Sequence, residues 1–363
     1  MPEADEPPGT APRARSTRAQ DRVIAALRGG IRDRSLPPGS RLPTRRELQQ
    51  RFDVASATLQ RALDRLAADG FIATRANRGT FVVDHPPCAH HYGLVVPVAH
   101  GAVPVHFWTA LTNEARQLSG APGGRRLSVY NGVDGNARGA DYQRLVRDLG
   151  HARLAGLVFA VDPSSLTRTP VLTTPGIPRI AIMRRGLAGV AAVTLDDESF
   201  ITKALDHFRA RRRTRVAVLA VPGKDGAYRE RTLDALAARW LATRPYWWHT
   251  TDPGTAVGAR SFTHLLMSGG PDDRPDALLI LDDNLVEHAT AGLIAAGVRV
   301  PGDVEVVAHC NFPWPTRALL PVRRLGYDAR ELLERCLAWI DAGGIPDTGV
   351  TVPARFADEC LPS

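Results

Sequence analysis

The sequence predicts an α/β chain in two parts: a small, mostly helical N-terminal unit ending in a β-hairpin, then a larger body of doubly wound parallel sheets. Three observations predict it. Residues 16–84 read as helix, helix, short break, helix and hairpin. Residues 92–355 alternate short apolar runs with helical stretches, the pattern of parallel strands joined by crossover helices. Charge divides at the same place: residues 13–82 hold fifteen arginines and six acidic residues, whereas the 281 residues after position 82 hold 31 basic and 29 acidic ones. A strongly basic unit on a nearly neutral body points to a polyanion as the partner of the first and to a different partner for the second.

A chain of 363 residues, 44% of them hydrophobic, can fill two or three cores. No stretch reaches the roughly 20 uncharged apolar residues that span a bilayer, so no membrane partner is expected. Residues 1–18 carry acids, prolines and arginines but no apolar segment, which argues against a signal peptide. The Pro, Ala and Arg content of residues 1–15 predicts a disordered tail. Cys88, Cys310, Cys336 and Cys360 are scattered, without a C-x-x-C pair or histidines at zinc spacing. Neither a disulfide framework, nor a metal, nor another cofactor is expected, and a reducing cytoplasm fits. His90 and His91, beside Cys88, fall in a polar linker over 85–91. Lysine occurs only at Lys203 and Lys224, so nearly all positive charge is arginine.

From Ala19 onward, Val23, Ile24, Leu27 and Ile31 line one helix face. Ser35-Leu36-Pro37-Pro38-Gly39 ends that helix, because the prolines cannot continue it. Thr44 and Glu47 stand at capping-box spacing, which starts a second helix that runs to about Phe52 and buries Leu48 and Phe52. After a break at Asp53-Val54-Ala55, a third helix over 56–69 turns Leu59, Ala62, Leu63 and Leu66 inward, and Gly70 closes it. Residues 71–74 and 80–83 are β-prone and are joined by a basic turn, Arg75-Ala76-Asn77-Arg78-Gly79. This order is a winged helix-turn-helix, and its expected partner is double-stranded DNA. The third helix suits the major groove, and the arginine-tipped hairpin suits the narrow, electronegative minor groove.

Four runs sharpen this reading: Pro38-Gly39-Ser40-Arg41-Leu42-Pro43-Thr44-Arg45-Arg46-Glu47-Leu48, Val54-Ala55-Ser56-Ala57-Thr58-Leu59-Gln60-Arg61-Ala62-Leu63, Gly70-Phe71-Ile72 and Arg78-Gly79-Thr80-Phe81-Val82. Together, in order and without a gap, they resemble the GntR regulators over roughly 65 residues. The resemblance implies DNA contacts from Arg46, Thr58 and the wing residues Arg78 and Gly79. Arg45, Ser56, Gln60 and Arg61 complete the candidate set. Three positions depart from the family pattern: Ala55 stands where serine is usual, and Ser56 and Gln60 stand where arginine is usual. Arginine pairs with guanine O6/N7 and glutamine with adenine N6/N7, so an altered operator is expected.

In the body, strands are expected over 92–98, 126–130, 154–161 and 177–183, with helices over 107–119 and 142–149. A second group begins near residue 193. It has helices from 198 and over 230–242, 256–267 and 285–296, and strands over 216–221, 246–249, 277–281 and 304–309. The length, and a pause near 185–195, predict two such units in tandem with a ligand cleft beyond the carboxyl ends of their strands.

The runs Pro275-Asp276-Ala277-Leu278-Leu279-Ile280-Leu281-Asp282-Asp283 and Gly297-Val298-Arg299-Val300-Pro301-Gly302-Asp303-Val304-Glu305-Val306-Val307-Ala308 resemble the lactose-repressor (LacI) family and periplasmic sugar-binding proteins. Leu154-Ala155-Gly156-Leu157-Val158, Ile177-Pro178 and Val193-Thr194-Leu195-Asp196 add weaker marks, and the likeness covers about residues 92–352. It implies a periplasmic-binding-protein-like (type I) body over 92–355 that takes a small-molecule effector, with a sugar as the leading candidate. By the same resemblance Asp283 and Arg229 would hold polar ligand groups, although the glycine usual three residues after that arginine is Thr232. The aspartate usual after the last strand falls at Cys310-Asn311, which makes Asn311 a candidate and weakens the case for a sugar. Phe107, with Trp108, offers a ring for stacking, and Arg184 lies near a strand end.

No G-x-S-x-G, Walker loop, H-E-x-x-H or strand-to-helix G-x-G-x-x-G is present, and Gly120, Gly123 and Gly124 are expected in a loop. No enzyme is expected. The expectation is a homodimeric repressor on a palindromic operator, controlled by its effector. The alternative is a DNA-binding regulator whose body only dimerises.

Overall fold

The computed structural model describes residues 12–32, 35–76, 78–84, 86–98, 105–120, 125–224, 226–270, 273–342 and 350–360. Helix α1 (Pro12–Arg32) buries Val23, Ile24, Leu27 and Ile31, the four residues that its period puts on one face. It starts earlier than the apolar pattern does, so residues 12–15 are helical rather than tail. Proline fits a first helical turn, and the Arg and Ala after it are good helix formers. Residues 1–11 of the expected tail lie outside the described residues.

Helix α2 (Arg45–Phe52) opens on the expected capping box: the Glu47 amide donates to Thr44 Oγ1 at 3.3 Å, and the Thr44 amide donates to the Glu47 carboxylate at 2.7 Å. Asp53 turns the chain at φ 49°, and α3 (Ser56–Ala68) follows. Gly70, at φ +78°, takes the left-handed geometry that ends α3. Strands β1 (Ile72–Arg75) and β2 (Gly79–Val82) pair antiparallel with Arg75 opposite Gly79. Asn77, in the turn between them, lies outside the described residues. The wing is pinned to the entry of α2 by Leu42 N–H to Thr80 O and Val82 N–H to Ser40 O. Leu48, Leu59, Leu63, Leu66, Phe71 and Val82 close the head's core with the α1 face.

A single turn, α4 (Pro87–His90), occupies the expected linker, and His85 lies outside the described residues. The first sheet of the body is built from β3 (His91–Val96), α5 (His106–Gly120), β4 (Arg126–Asn131), α6 (Ala140–Gly150), β5 (Gly156–Phe159), α7 (Pro170–Thr173), β6 (Arg179–Ile182) and β7 (Ala191–Leu195). The second takes α8 (Asp197–Ala210), β8 (Val216–Ala220), α9 (Ala227–Ala238), β9 (Trp248–Thr250), α10 (Val257–Met267), β10 (Ala277–Ile280), α11 (Val286–Ala295), β11 (Glu305–Phe312) and β12 (Arg323–Asp328). β3, β5, β8 and β10 are buried at every residue, as parallel strands covered on both faces must be.

The tandem order holds only as far as β12. The chain then returns to the first sheet, where α12 (Ala329–Asp341) packs on α5, β5 and β6, and β13 (Val350–Val352) pairs with β7. It crosses back once more with β14 (Arg355–Phe356), antiparallel to β12, and α13 (Ala357–Cys360). The sheet orders are β13-β7-β6-β5-β3-β4 and β14-β12-β11-β10-β8-β9. One apolar cluster joins them, from Leu94 and Ile180 of the first sheet through Leu333 and Leu337 of α12 to Leu279 and Leu325 of the second.

Candidate nucleic-acid interface and ligand cleft

Arg45 and Arg46 open α2 and are exposed, as are Ser56 and Arg61 on α3 and Arg78 on the wing; Gln60 is half-buried. A cleft of about 340 Å³ lies between the start of α2 and the wing, lined by Arg41, Arg45, Arg75 and Gly79 among others. Gly79 sits at φ +104°, a backbone conformation that favours glycine, and Arg41 Nε lies 2.9 Å from the place a Cβ would take, so the Arg41 guanidinium lies against the wing. Arg75 stacks over Phe81 at 4.7 Å. Arg41 and Arg75 were not among the candidates, although Arg41 stands inside the first of the runs that define the head and Arg75 opens its basic turn.

Thr58 differs from expectation. It is only 7 % exposed, on the leucine side of α3, and its Oγ1 accepts from Arg61 Nη2 at 3.4 Å. Arg61 Nε also donates to the Ala57 carbonyl at 3.3 Å, so Thr58 helps to aim Arg61. Gln60 Nε2 donates to Asp64 Oδ1 at 2.7 Å, one helical turn on, which orients the amide.

The body's cleft, about 470 Å³, lies where strand ends of the two sheets face each other. Phe107, Trp108, Phe200, Tyr228 and Tyr327 give it aromatic walls, and Asp283, His309 and Asn311 form its polar floor. Asp283 and Asn311 are both buried, and Asn311 Nδ2 donates to Asp283 Oδ2 at 2.8 Å. Burial, reinforced by the neighbouring charge of Asp282, pushes the Asp283 carboxyl up to about 7. His309 Nδ1, Asn311 Oδ1 and the Tyr327 hydroxyl are shielded from solvent and have no hydrogen-bond partner among the described residues. Buried polar atoms are nearly always paired, so these three are free to bond a polar group that enters the cleft.

A second group stands at the cleft wall. Lys224 Nζ is 2.9 Å from Asp197 Oδ1 and 4.2 Å from the Tyr228 ring centre, while Arg184 Nη2 is 2.6 Å from Asp197 Oδ2. Burial would raise the Asp197 carboxyl, but the Lys224 and Arg184 cations hold it below its ordinary value.

Of the expected effector residues, Phe107, Asp283 and Asn311 meet in the cleft, and Arg184 reaches it only through Asp197. Arg229 does not line it: its guanidinium lies 5.3 Å over Trp248, and the preceding Tyr228 takes the cleft-facing place. On β11, alternation puts His309 and Asn311 on the cleft side and Cys310 on the other. Burial pushes the Cys310 thiol up to about 12, so it stays protonated. Asp197, Lys224, His309 and Tyr327 were not foreseen. Lys224 and His309 follow or end strands that the apolar pattern shows, and position alone could have nominated them, whereas Asp197 and Tyr327 belong with β7 and β12, where no strand is expected. No helix among the described residues is long and apolar enough to cross a membrane.

Residues 19–82 match the family described as bacterial regulatory proteins, gntR family, and residues 205–357 match the periplasmic binding protein-like domain. The head is 37% identical over 67 residues to the HTH-type transcriptional regulator Rv1152 of Mycobacterium tuberculosis, and 36% identical over 69 residues to Rv0792c of the same organism. These matches take in 18% and 19% of this chain, and 55% and 26% of the lengths of those two relatives. The body is similar to a LacI regulator from Lactobacillus casei with bound Tris, at TM-score 0.55 and 19% identity, over 75% of this chain and 96% of that one. It is also similar to a LacI family transcriptional regulator from Arthrobacter sp. FB24 in complex with lactose, at TM-score 0.57 and 15% identity, over 74% and 97%. At such identities the likeness concerns the fold alone. The chain therefore joins an N-terminal segment that matches the gntR family of bacterial regulatory proteins to a body with the periplasmic-binding-protein-like fold that solved LacI-family regulators also have.

Proposed function

We propose that the protein is a cytoplasmic, homodimeric transcription repressor that reads a DNA operator and is controlled by a small-molecule effector, a sugar. Its head would span 16–84, its linker 85–91 and its body 92–355. The observation that carries this reading is the union, in one chain, of an exposed arginine-rich helix and wing with a cleft holding three unpartnered polar atoms. Arg45, Arg46 and Arg78 would meet phosphates, Ser56, Gln60 and Arg61 would meet base edges, and Gly79 would let the wing approach closely. Two heads would sit on the half-sites of a palindrome. In the cleft, Phe107 or Trp108 would stack on the apolar face of a sugar ring, while Asp283, His309, Asn311 and Tyr327 exchange hydrogen bonds with its hydroxyls. Closure on the ligand would shift the spacing of the heads, with a coupling of about 1–3 kcal/mol.

The test is fluorescence anisotropy of the full chain on the DNA fragment upstream of its own coding region, repeated with a panel of sugars. Tight, salt-sensitive binding that one sugar releases is the expected result. Binding that no sugar alters would leave the DNA role standing and turn the cleft over to another ligand class, or the body to dimerisation alone. No binding to the fragment would overturn the reading.

A further inference from the structure

Asp69 caps the C-terminal end of α3, where a carboxylate has the wrong sign for the helix dipole. Its side chain is nevertheless only 6 % exposed. Three guanidinium groups surround it: Arg28 of α1, Arg65 of α3 at 3.1 Å and Arg153 at 2.6 Å. The first two belong to the head, whereas Arg153 belongs to the body, in the loop between α6 and β5. Arg153 is itself tied to Asp148 of α6 at 3.4 Å, and Asp148 accepts from the Tyr130 hydroxyl of β4 at 2.8 Å. A chain of charged and hydrogen-bonded groups thus runs from the first sheet to the end of α3. A second contact lies nearby, where the Arg32 guanidinium of α1 comes within 3.3 Å of the place a Cβ would take on Gly176.

We propose that Arg153, through Asp69, is the residue by which the body positions the recognition helix α3. Charge-assisted pairs to a nearly buried carboxylate are directional: Arg28 and Arg65 fix the carboxylate within the head, and Arg153 then holds the body to it in one orientation. Arg45, Arg46, Ser56, Arg61 and Arg78 remain exposed while the pair is made, so the held head is still open to DNA. Displacement of the α6–β5 loop as the cleft closes would carry Arg153, and with it the head. The link to DNA rests on the function proposed above; the contact itself does not.

The test uses the full chain as wild type, Arg153→Met, Arg153→Lys and Arg65→Met. The last removes a cation from the same carboxylate but leaves the bridge to the body. Hydrogen exchange without DNA is expected to quicken over 66–71 and 149–154 in Arg153→Met, and to recover in part in Arg153→Lys. In Arg65→Met the 149–154 segment should keep its protection. Unchanged exchange over both segments in Arg153→Met would overturn the proposal. On the upstream DNA fragment, Arg153→Met is expected to bind about 5- to 20-fold more weakly with the same slope of log affinity against log salt. A slope reduced by about one phosphate contact would make Arg153 a DNA ligand itself and would also overturn it. If wild type fails to bind the fragment, the functional reading falls while the exchange measurement still decides the contact.

Discussion

Asp283 keeps its carboxyl under the cleft with the Asn311 side-chain amide and the backbone N–H groups of Asp283 and Asn311 as donors, and no cation among the described residues offsets its burial. Its folded value near 7 stands above the ordinary 3.8, so between those values the native state holds a proton that the unfolded chain has lost. The group's contribution is therefore fully present below about pH 4, is lost as pH rises through 7, and is a constant penalty above that. Asp283→Asn keeps the shape without the charge. Denaturant unfolding at pH 5 and pH 8 should show the variant gaining on wild type at the higher pH, and an equal difference at both would refute the burial argument. On the head, Arg46 and Gln60 should part company. Arg46→Ala is expected to weaken binding to upstream and random DNA alike and to lower the salt slope by about one. Gln60→Ala should relax discrimination at one base pair by about 1–3 kcal/mol. Equal losses on both DNAs for both variants would show that the division of roles is wrong.

At the scale of elements, what could be read from sequence depended on how near the partner atoms lie along the chain. The Thr44–Glu47 box was legible because its donors and acceptors are three residues apart, and the strands β3, β5, β8 and β10 because burial on both faces writes a continuous apolar run. β13 has three residues and finds its partner β7 more than a hundred residues earlier, at Val350 opposite Val193, so no local pattern announces it. In the cleft, Arg229 missed by phase rather than by place: one residue along α9 separates it from the cleft-facing Tyr228, whereas Phe107, Asp283 and Asn311 line the cleft. Glycines hide their reason in the same way. Gly292 of α11 meets α10 so closely that a Cβ would overlap Thr263 Oγ1 and the Arg260 carbonyl. Gly292→Ala is therefore expected to force the two helices apart at a cost of about 1–3 kcal/mol, read as a lower denaturation midpoint. A midpoint unchanged from wild type would mean that the helices do not meet as closely as described.

At the scale of the whole molecule, the return of α12 and β13 to the first sheet makes the two halves of the body one unit rather than two domains on a string. Glu114 of α5 shows how the join works. It is fully buried, accepting from Trp314 Nε1 of the second half at 2.8 Å and from Arg330 Nε of α12 at 2.9 Å. The apolar cluster beneath it runs through both sheets. Neither half can then unfold without exposing the core of the other, and the body should melt in one cooperative transition. Glu114→Gln keeps the size and one acceptor but gives up the charge, so it should cost about 1–3 kcal/mol. The loss should appear as a shift of the whole transition in calorimetry. A variant whose scan splits into two transitions would show that the halves fold separately and that Glu114 only clips them together. Cleft closure would then be a free hinge motion. A single shifted transition would make closure a strained movement about this join, opposed by the shared core and driven only by what the ligand gains at Asp283, His309, Asn311 and Tyr327.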